Sequence, residues 1–176
     1  MPRYNKLSML LHWLIALLIF GAFPLGVYMH ELPLSPQKLQ YYSWHKWTGV
    51  TIFFLALIRI MWRIGHTPPP PVTMPIWQRI ASETVHRGLY VLLVIIPLSG
   101  WMMSSAKGFP TIWFGVLPLP DLIGKNEPLG EVLAEVHETL NIGLLGLVVL
   151  HLAAALKHQF IEKDRLLSRM NPFAND

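Results

Sequence analysis

The stretch Val132–Leu156, VLAEVHETLNIGLLGLVVLHLAAAL, decides how the rest of the chain is read. It is apolar and long enough to cross a bilayer, which takes about 20 such residues. Yet it contains two histidines, His137 and His151, 14 positions apart. On an α-helix that spacing leaves them about 40° apart around the axis and about 21 Å apart along it. Both therefore lie on one face, one near each leaflet. An ionisable side chain inside a span faces the bundle interior by default. Each of these two needs a partner at its own depth, supplied by another helix.

Three further stretches have the length and apolarity of spans: Leu7–Tyr28, Trp44–Trp62 and Val85–Met103. The first follows Arg3 and Lys6 as a signal peptide would, but its apolar part is too long and no A-x-A-like site follows, so it reads as an uncleaved span. Composition agrees. Of 176 residues, 53% are hydrophobic and 14% charged, against about 25% charged in a soluble domain. The fold class expected is all-α: one integral-membrane four-helix bundle occupying the whole chain, without repeats or a soluble domain. Between the third and fourth spans, Ser104–Gly130 carries a short apolar run broken by Pro110, Pro118 and Pro120, and is expected to form an interfacial lid. The prolines Pro68 to Pro71 make a stiff connector.

Orientation follows from the cations. Ten of the 14 Lys and Arg flank one side: Arg3, Lys6, Arg59, Arg63, Arg79, Arg87, Lys157, Lys163, Arg165 and Arg169. The other side holds Lys38, Lys46, Lys107 and Lys125. The positive-inside rule then places both termini in the cytoplasm and the lid outside. Trp44, Trp47, Trp62 and Trp101 sit near span ends as an aromatic belt. The net charge of +4 speaks to orientation among membrane lipids, not to nucleic acid.

Depth then pairs the histidines. His45 begins the second span at the depth of His137, and His12 lies a turn inside the first span at the depth of His151. Two bis-histidine sites result, His45 with His137 and His12 with His151, in a bundle interior of the kind that hosts cofactors. The chain has no cysteine, which excludes disulfides, thiolate zinc, iron–sulfur clusters and covalently attached haem. Zinc would require four ligands, and each level offers two. Haem brings four of its own and asks for two axial ones. A macrocycle also needs flat space, and Ala16, Gly49 and Ala155 lie one turn on from His12, His45 and His151; Gly143 and Gly146 thin the fourth span. His137, followed by Asn141, is the partial exception.

Alternatives stay open for the rest. His86 opens the third span and rivals His12 as a ligand, though Tyr90 one turn on would crowd a ring. His158 shares the stripe of His151 at the cytoplasmic boundary and suits a quinone carbonyl or a propionate better than iron. His30 and His66 fall in loops and are expected to be solvated. Lys46, Lys107, Arg59 and Arg87 have a bland reading, as cations reaching towards lipid phosphates. The bland reading of the whole is a histidine-lined bundle with no cofactor.

Particular motifs carry a resemblance. His45-Lys46-Trp47-Thr48-Gly49, His86-Arg87-Gly88-Leu89-Tyr90 running to Pro97-Leu98-Ser99-Gly100-Trp101, and His151-Leu152-Ala153-Ala154-Ala155-Leu156-Lys157-His158 resemble the bacterial cytochrome b561 family, as do the proline run and Asp164 to Met170. The resemblance covers essentially the whole chain. It implies a four-helix inner-membrane cytochrome with two haem b groups, axial ligands from the first, second and fourth spans, and electron exchange with ubiquinone. Members of this type are described as superoxide oxidases. Related di-haem subunits instead anchor hydrogenases and formate dehydrogenases.

The expected activity is oxidation of superoxide to oxygen at the periplasmic haem, with electrons passing to ubiquinone and no obligate protein partner. Lys46 and Lys107 are the candidates for drawing in the anion, within an outer surface that Glu31, Asp121, Glu127, Glu131, Glu135 and Glu138 keep from being basic in bulk. His158 and Arg87 are the candidates at the quinone, and a boundary histidine suits proton relay. The alternative is a haem-bearing membrane anchor for a partner dehydrogenase or hydrogenase.

Overall fold

A computed structural model describes residues 3–70, 72–164 and 166–172. Four helices account for most of it: α1 Lys6–Glu31, α2 Pro36–Gly65, α3 Ile76–Ala106 and α4 Glu127–Lys157. Each is long and apolar enough to cross a membrane. Arg165 of the cation tally and Pro71 of the proline run lie outside the described residues.

All four helices outrun the spans expected from hydropathy, and side-chain caps hold the polar first turns of α1, α2 and α4. Asn5 accepts from the Ser8 amide at 2.8 Å, Ser35 from Lys38 at 3.2 Å and Asn126 from Leu129 at 3.1 Å. Pro36 and Pro128 add the preset φ that suits a first turn. The largest extension is in α3, which starts straight after Pro75. His86 therefore sits well inside a helix and not at its mouth, as the sequence reading had it.

The helices pack in chain order, α1 on α2, α2 on α3 and α3 on α4. A small tight core of Ile15, Ile52, Ala56 and Leu93 ties the first three together at mid-depth. Outward faces are apolar: Leu17, Phe20, Ile142 and Val149 are more than half exposed, as lipid-facing side chains are. Between α1 and α4 the backbones keep their distance, and imidazole rings cross the gap.

At one end the lid closes the bundle. It is shorter than expected, because Ser104–Ala106 and Glu127–Gly130 are helical, and it carries a two-stranded hairpin, β1 Ile112–Trp113 with β2 Leu117–Pro118. Phe114 and Gly115 make its turn with positive φ. Three indoles pin it: Trp47 Nε1 donates to the Ile112 carbonyl at 2.6 Å, Trp101 Nε1 to Pro120 at 3.1 Å, and Trp113 Nε1 to Thr51 Oγ1 at 3.3 Å.

The other end holds both chain termini. After α4 the chain widens into a π turn, His158–Glu162, then a 3-10 helix, Leu166–Met170, folds back across the start of α1. Trp13 Nε1 donates to the Met170 carbonyl at 2.7 Å, and the Tyr4 amide to Arg169 at 3.3 Å. Buried Arg169 donates to the Pro70 carbonyl at 2.8 Å, tying the tail to the proline connector.

Candidate functional site

Histidines meet at two levels. Near the lid, His45 of α2 faces His137 of α4 with ring centres 6.3 Å apart. Near the tail, His12 of α1 faces His151 of α4 at 6.1 Å. An iron between two coaxial imidazoles needs two bonds of about 2 Å with each ring centre about 1 Å further back, or about 6 Å in all. Both pairs match that span. His86 also reaches the tail level, but its ring centre is 5.1 Å from His151, too close for an iron lying collinear between the two rings. The separation favours His12 over His86 as the partner of His151.

The lid level is braced by backbone. His45 Nδ1 donates to the Ala22 carbonyl at 3.1 Å, and His137 Nδ1 to the Ile96 carbonyl at 3.1 Å. That fixes the proton on Nδ1 and leaves each Nε2 a lone pair for a metal, the arrangement usual for ligating histidines. In both cases the residue four further along the helix is glycine. A Cβ at Gly26 would come within 3.0 Å of the His45 ring, and one at Gly100 within 2.9 Å of the His137 ring. These glycines let a ring approach a carbonyl that a side chain would otherwise cover. Pro24 and Pro97 lie within the same turns and interrupt the helical ladder there. Buried Ser99 completes the seat: its Oγ donates to the Ile96 carbonyl at 2.8 Å and lies 3.0 Å from His137 Nδ1.

The tail level is built from side chains. His12 Nδ1 lies 3.5 Å from Nη2 of Arg59, whose Nη1 donates to the Ser8 carbonyl at 2.7 Å. A guanidinium cannot accept a proton, so this contact braces the ring more weakly than a carbonyl would. No hydrogen bond of the His151 ring is found among the described residues. His86 Nδ1 donates to its own helix at the Ser82 carbonyl, 2.6 Å away. The Tyr90 ring lies under the guanidiniums of Arg59 and Arg63, at 5.9 and 5.8 Å.

Space suits a flat macrocycle. A Cβ at Gly49, Gly143 or Gly146 would meet nothing within 4 Å. Asn141, the exception at the fourth position after His137, turns its amide back onto the His137 carbonyl at 2.7 Å. Paired imidazoles at both levels, tautomers set at the lid level and open glycine faces together fit haem. Those glycine, carbonyl and serine partners were missed from sequence; the Gly four residues past a carbonyl, beside an in-helix proline, was the available signal.

The remaining candidates separate. Lys46 Nζ donates to Ser104 Oγ at 3.0 Å and to the carbonyls of Phe109 and Pro110 at 3.3 and 3.1 Å, so it binds the lid to α2. Lys107 pairs with Glu131 at 3.0 Å. Arg87 is largely exposed, pairs with Glu83 at 3.5 Å, and makes no contact with His158 among the described residues. His158 is buried beside Glu162 and Asp164. His66 is exposed, as expected, and its ring stacks on Trp62 with ring centres 3.6 Å apart. His30 is exposed next to Glu31.

A four-helix membrane bundle with histidines paired at two depths is the architecture of a membrane haem protein of electron transfer. The description "Prokaryotic cytochrome b561" matches residues 3–172, and the chain belongs to that family. It is 34% identical to cytochrome b561 homolog 2 of Escherichia coli K12, over 96% of this chain and 90% of that one. It is 30% identical to cytochrome b561 homolog 1 of the same organism, over 98% of each. A probable superoxide oxidase of Yersinia pestis, CybB, is 29% identical over 97% of this chain and 96% of its own. Family membership implies haem b.

Proposed function

We propose that this chain is a di-haem b superoxide:ubiquinone oxidoreductase of the bacterial inner membrane, with the lid periplasmic and both termini cytoplasmic. The observation that carries the reading is the pair of imidazole couples at 6.3 and 6.1 Å, one at each end of the bundle. His45 and His137 would hold one haem, and His12 and His151 the other. When bound, these groups supply one-electron redox chemistry that couples superoxide, oxidised to oxygen, to the two-electron reduction of ubiquinone. The likeness to a probable superoxide oxidase supports the donor.

The chain's own residues have separate tasks. Lys46 bonds neutral acceptors and has the Asp121 carboxylate nearby, so part of its positive charge remains beside the lid to attract an anion. Lys107 contributes less, because Glu131 offsets it. The lid, pinned by three indoles, keeps bulk solvent from the His45–His137 level. At the tail level, His158 presents a proton donor to a quinone carbonyl. Arg87, held at Glu83, serves the headgroup region and not the carbonyl.

The test is to mix superoxide with the purified, oxidised protein and follow its visible spectrum, then add ubiquinone. Reduction by superoxide and reoxidation by ubiquinone are expected. A spectrum indifferent to superoxide, together with co-purification of a stoichiometric soluble dehydrogenase or hydrogenase, would replace this reading with the membrane-anchor one.

A further inference from the structure

The tail end contains a charged cluster that haem binding does not use. His158 is 9% exposed, and its Nδ1 lies 2.6 Å from both Asp164 Oδ2 and Glu162 Oε2. The geometry is produced by an unusual chain path. The π turn His158–Glu162 brings Glu162 under the ring; then Lys163 takes a left-handed conformation, φ 55°, and reverses the backbone. Asp164 is thereby returned to the same nitrogen, its amide donating to the His158 carbonyl at 3.2 Å. A left-handed lysine costs about 1 kcal/mol or more, and such strain persists where the surroundings enforce it.

Nδ1 can carry one proton, and two carboxylates compete for it. The Glu162 charge is met on its other oxygen by Lys157 at 2.7 Å, with Gln78 of α3 at 3.5 Å. Asp164 uses its second oxygen to cap the 3-10 helix at the Leu166 amide, 3.1 Å. No bond to His158 Nε2 is found among the described residues. The cluster thus grades from exposure to burial: Glu162 is 30% exposed, Asp164 18% and the His158 side chain 11%. From the elements packed against this turn, the charged groups are Lys157 of α4 and Arg169 of the 3-10 helix, the latter donating to Pro70.

Resting on the reading that quinone is reduced beside His158, we propose that Asp164 and Glu162 are the positioning and proton-resupply residues of the quinone site. Asp164 holds the imidazole with its proton on Nδ1, and Glu162 adds a second negative charge beside it. Ubiquinone takes up two electrons, released as two superoxide ions become oxygen, and two protons. The His158 Nε2–H bond breaks as an O–H bond forms on the facing carbonyl oxygen; water supplies the proton to the distal oxygen. His158 is thus doubly protonated before the transfer and keeps its Nδ1 proton on Asp164; water returns a proton to Nε2, a step that the negative charges of Asp164 and Glu162 favour by stabilising the cation. This is the role a carboxylate plays behind a catalytic histidine.

The experiment uses the full-length, haem-loaded protein in detergent with a soluble ubiquinone analogue, in H₂O and D₂O. Asp164→Asn retains an oxygen for the Leu166 cap but removes the carboxylate. It is expected to lower the turnover number about tenfold at unchanged KM, with a larger solvent isotope effect and undiminished reduction of the haems by superoxide. Glu162→Gln should act in the same direction more weakly. Asp164→Ala should regain turnover when formate is added, which a merely structural loss would not do. Asp164→Asn and Glu162→Gln both within twofold of the parent, with an unaltered isotope effect, would overturn the proposal. His158→Ala separates the two failures: about a hundredfold loss there with normal Asp164 and Glu162 variants sinks only the resupply role, whereas normal His158→Ala turnover removes the quinone site itself.

Discussion

The two histidine levels do the same thing by different means. Near the lid, each ring is held by a backbone carbonyl exposed by a glycine, Ala22 with Gly26 and Ile96 with Gly100. Near the tail, His12 leans on a guanidinium, His151 has no described hydrogen bond, and a third ring, His86, crowds the pair at 5.1 Å. Backbone bracing fixes one tautomer and one orientation. Side-chain bracing leaves room for adjustment when a second molecule arrives. Under the proposed function, this difference makes the lid level a rigid one-electron port and leaves the tail level free to adjust beside a quinone.

The largest effects should come from removing one ring at a time. His137→Ala is expected to lose the lid-level haem and keep the other, and His151→Ala the reverse, each leaving about half the haem absorbance. Two haems retained in either variant would break the pairing. His86→Ala should keep both; loss of the tail-level haem there would transfer the ligand role from His12 to His86.

A smaller effect sharpens the contrast in bracing. Gly100→Ala places a methyl 2.9 Å from the His137 ring, and overpacking of this kind costs about 1–3 kcal/mol. Partial loss of the lid-level haem is expected, with the tail-level spectrum intact, while Gly21→Ala, whose Cβ meets nothing within 4 Å, should change neither. Equal behaviour of the two alanine variants in a haem assay would remove the special role of the Gly100 groove.

The lysines should give the mildest effects. Lys46→Met loses three hydrogen bonds to the lid and one positive charge, and should slow superoxide oxidation severalfold at low salt and flatten its salt dependence. Lys107→Met should stay within about twofold, since Glu131 already offsets its charge and exposed pairs contribute little. A larger effect from Lys107 than from Lys46, measured across ionic strength, would reverse that assignment.

The four long helices and the facing of His45 with His137 and of His12 with His151 were legible because both depend on chain distance. A 14-residue interval on a rigid helix fixes depth and face before any tertiary contact is known. Helix ends were not, since Asn5, Ser35 and Asn126 extend polar turns that hydropathy assigns to loops. His86 falls inside α3 because that helix begins at Ile76, straight after Pro75, without a side-chain cap to mark its start. The lid contacts of Lys46 and the return of Asp164 to His158 depend on loop geometry, which periodicity does not encode. Gly26 and Gly100 were visible in the sequence, but their use became clear only once rings from other helices were seen to rest on them.

The most direct test of the account is the haem-to-chain ratio of the purified protein, measured together with its low-spin ferric spectrum. Two bis-histidine haem b groups per chain are predicted, resolved as two components because their surroundings differ. One haem, or none, would contradict the assignment of the two imidazole pairs as two iron sites.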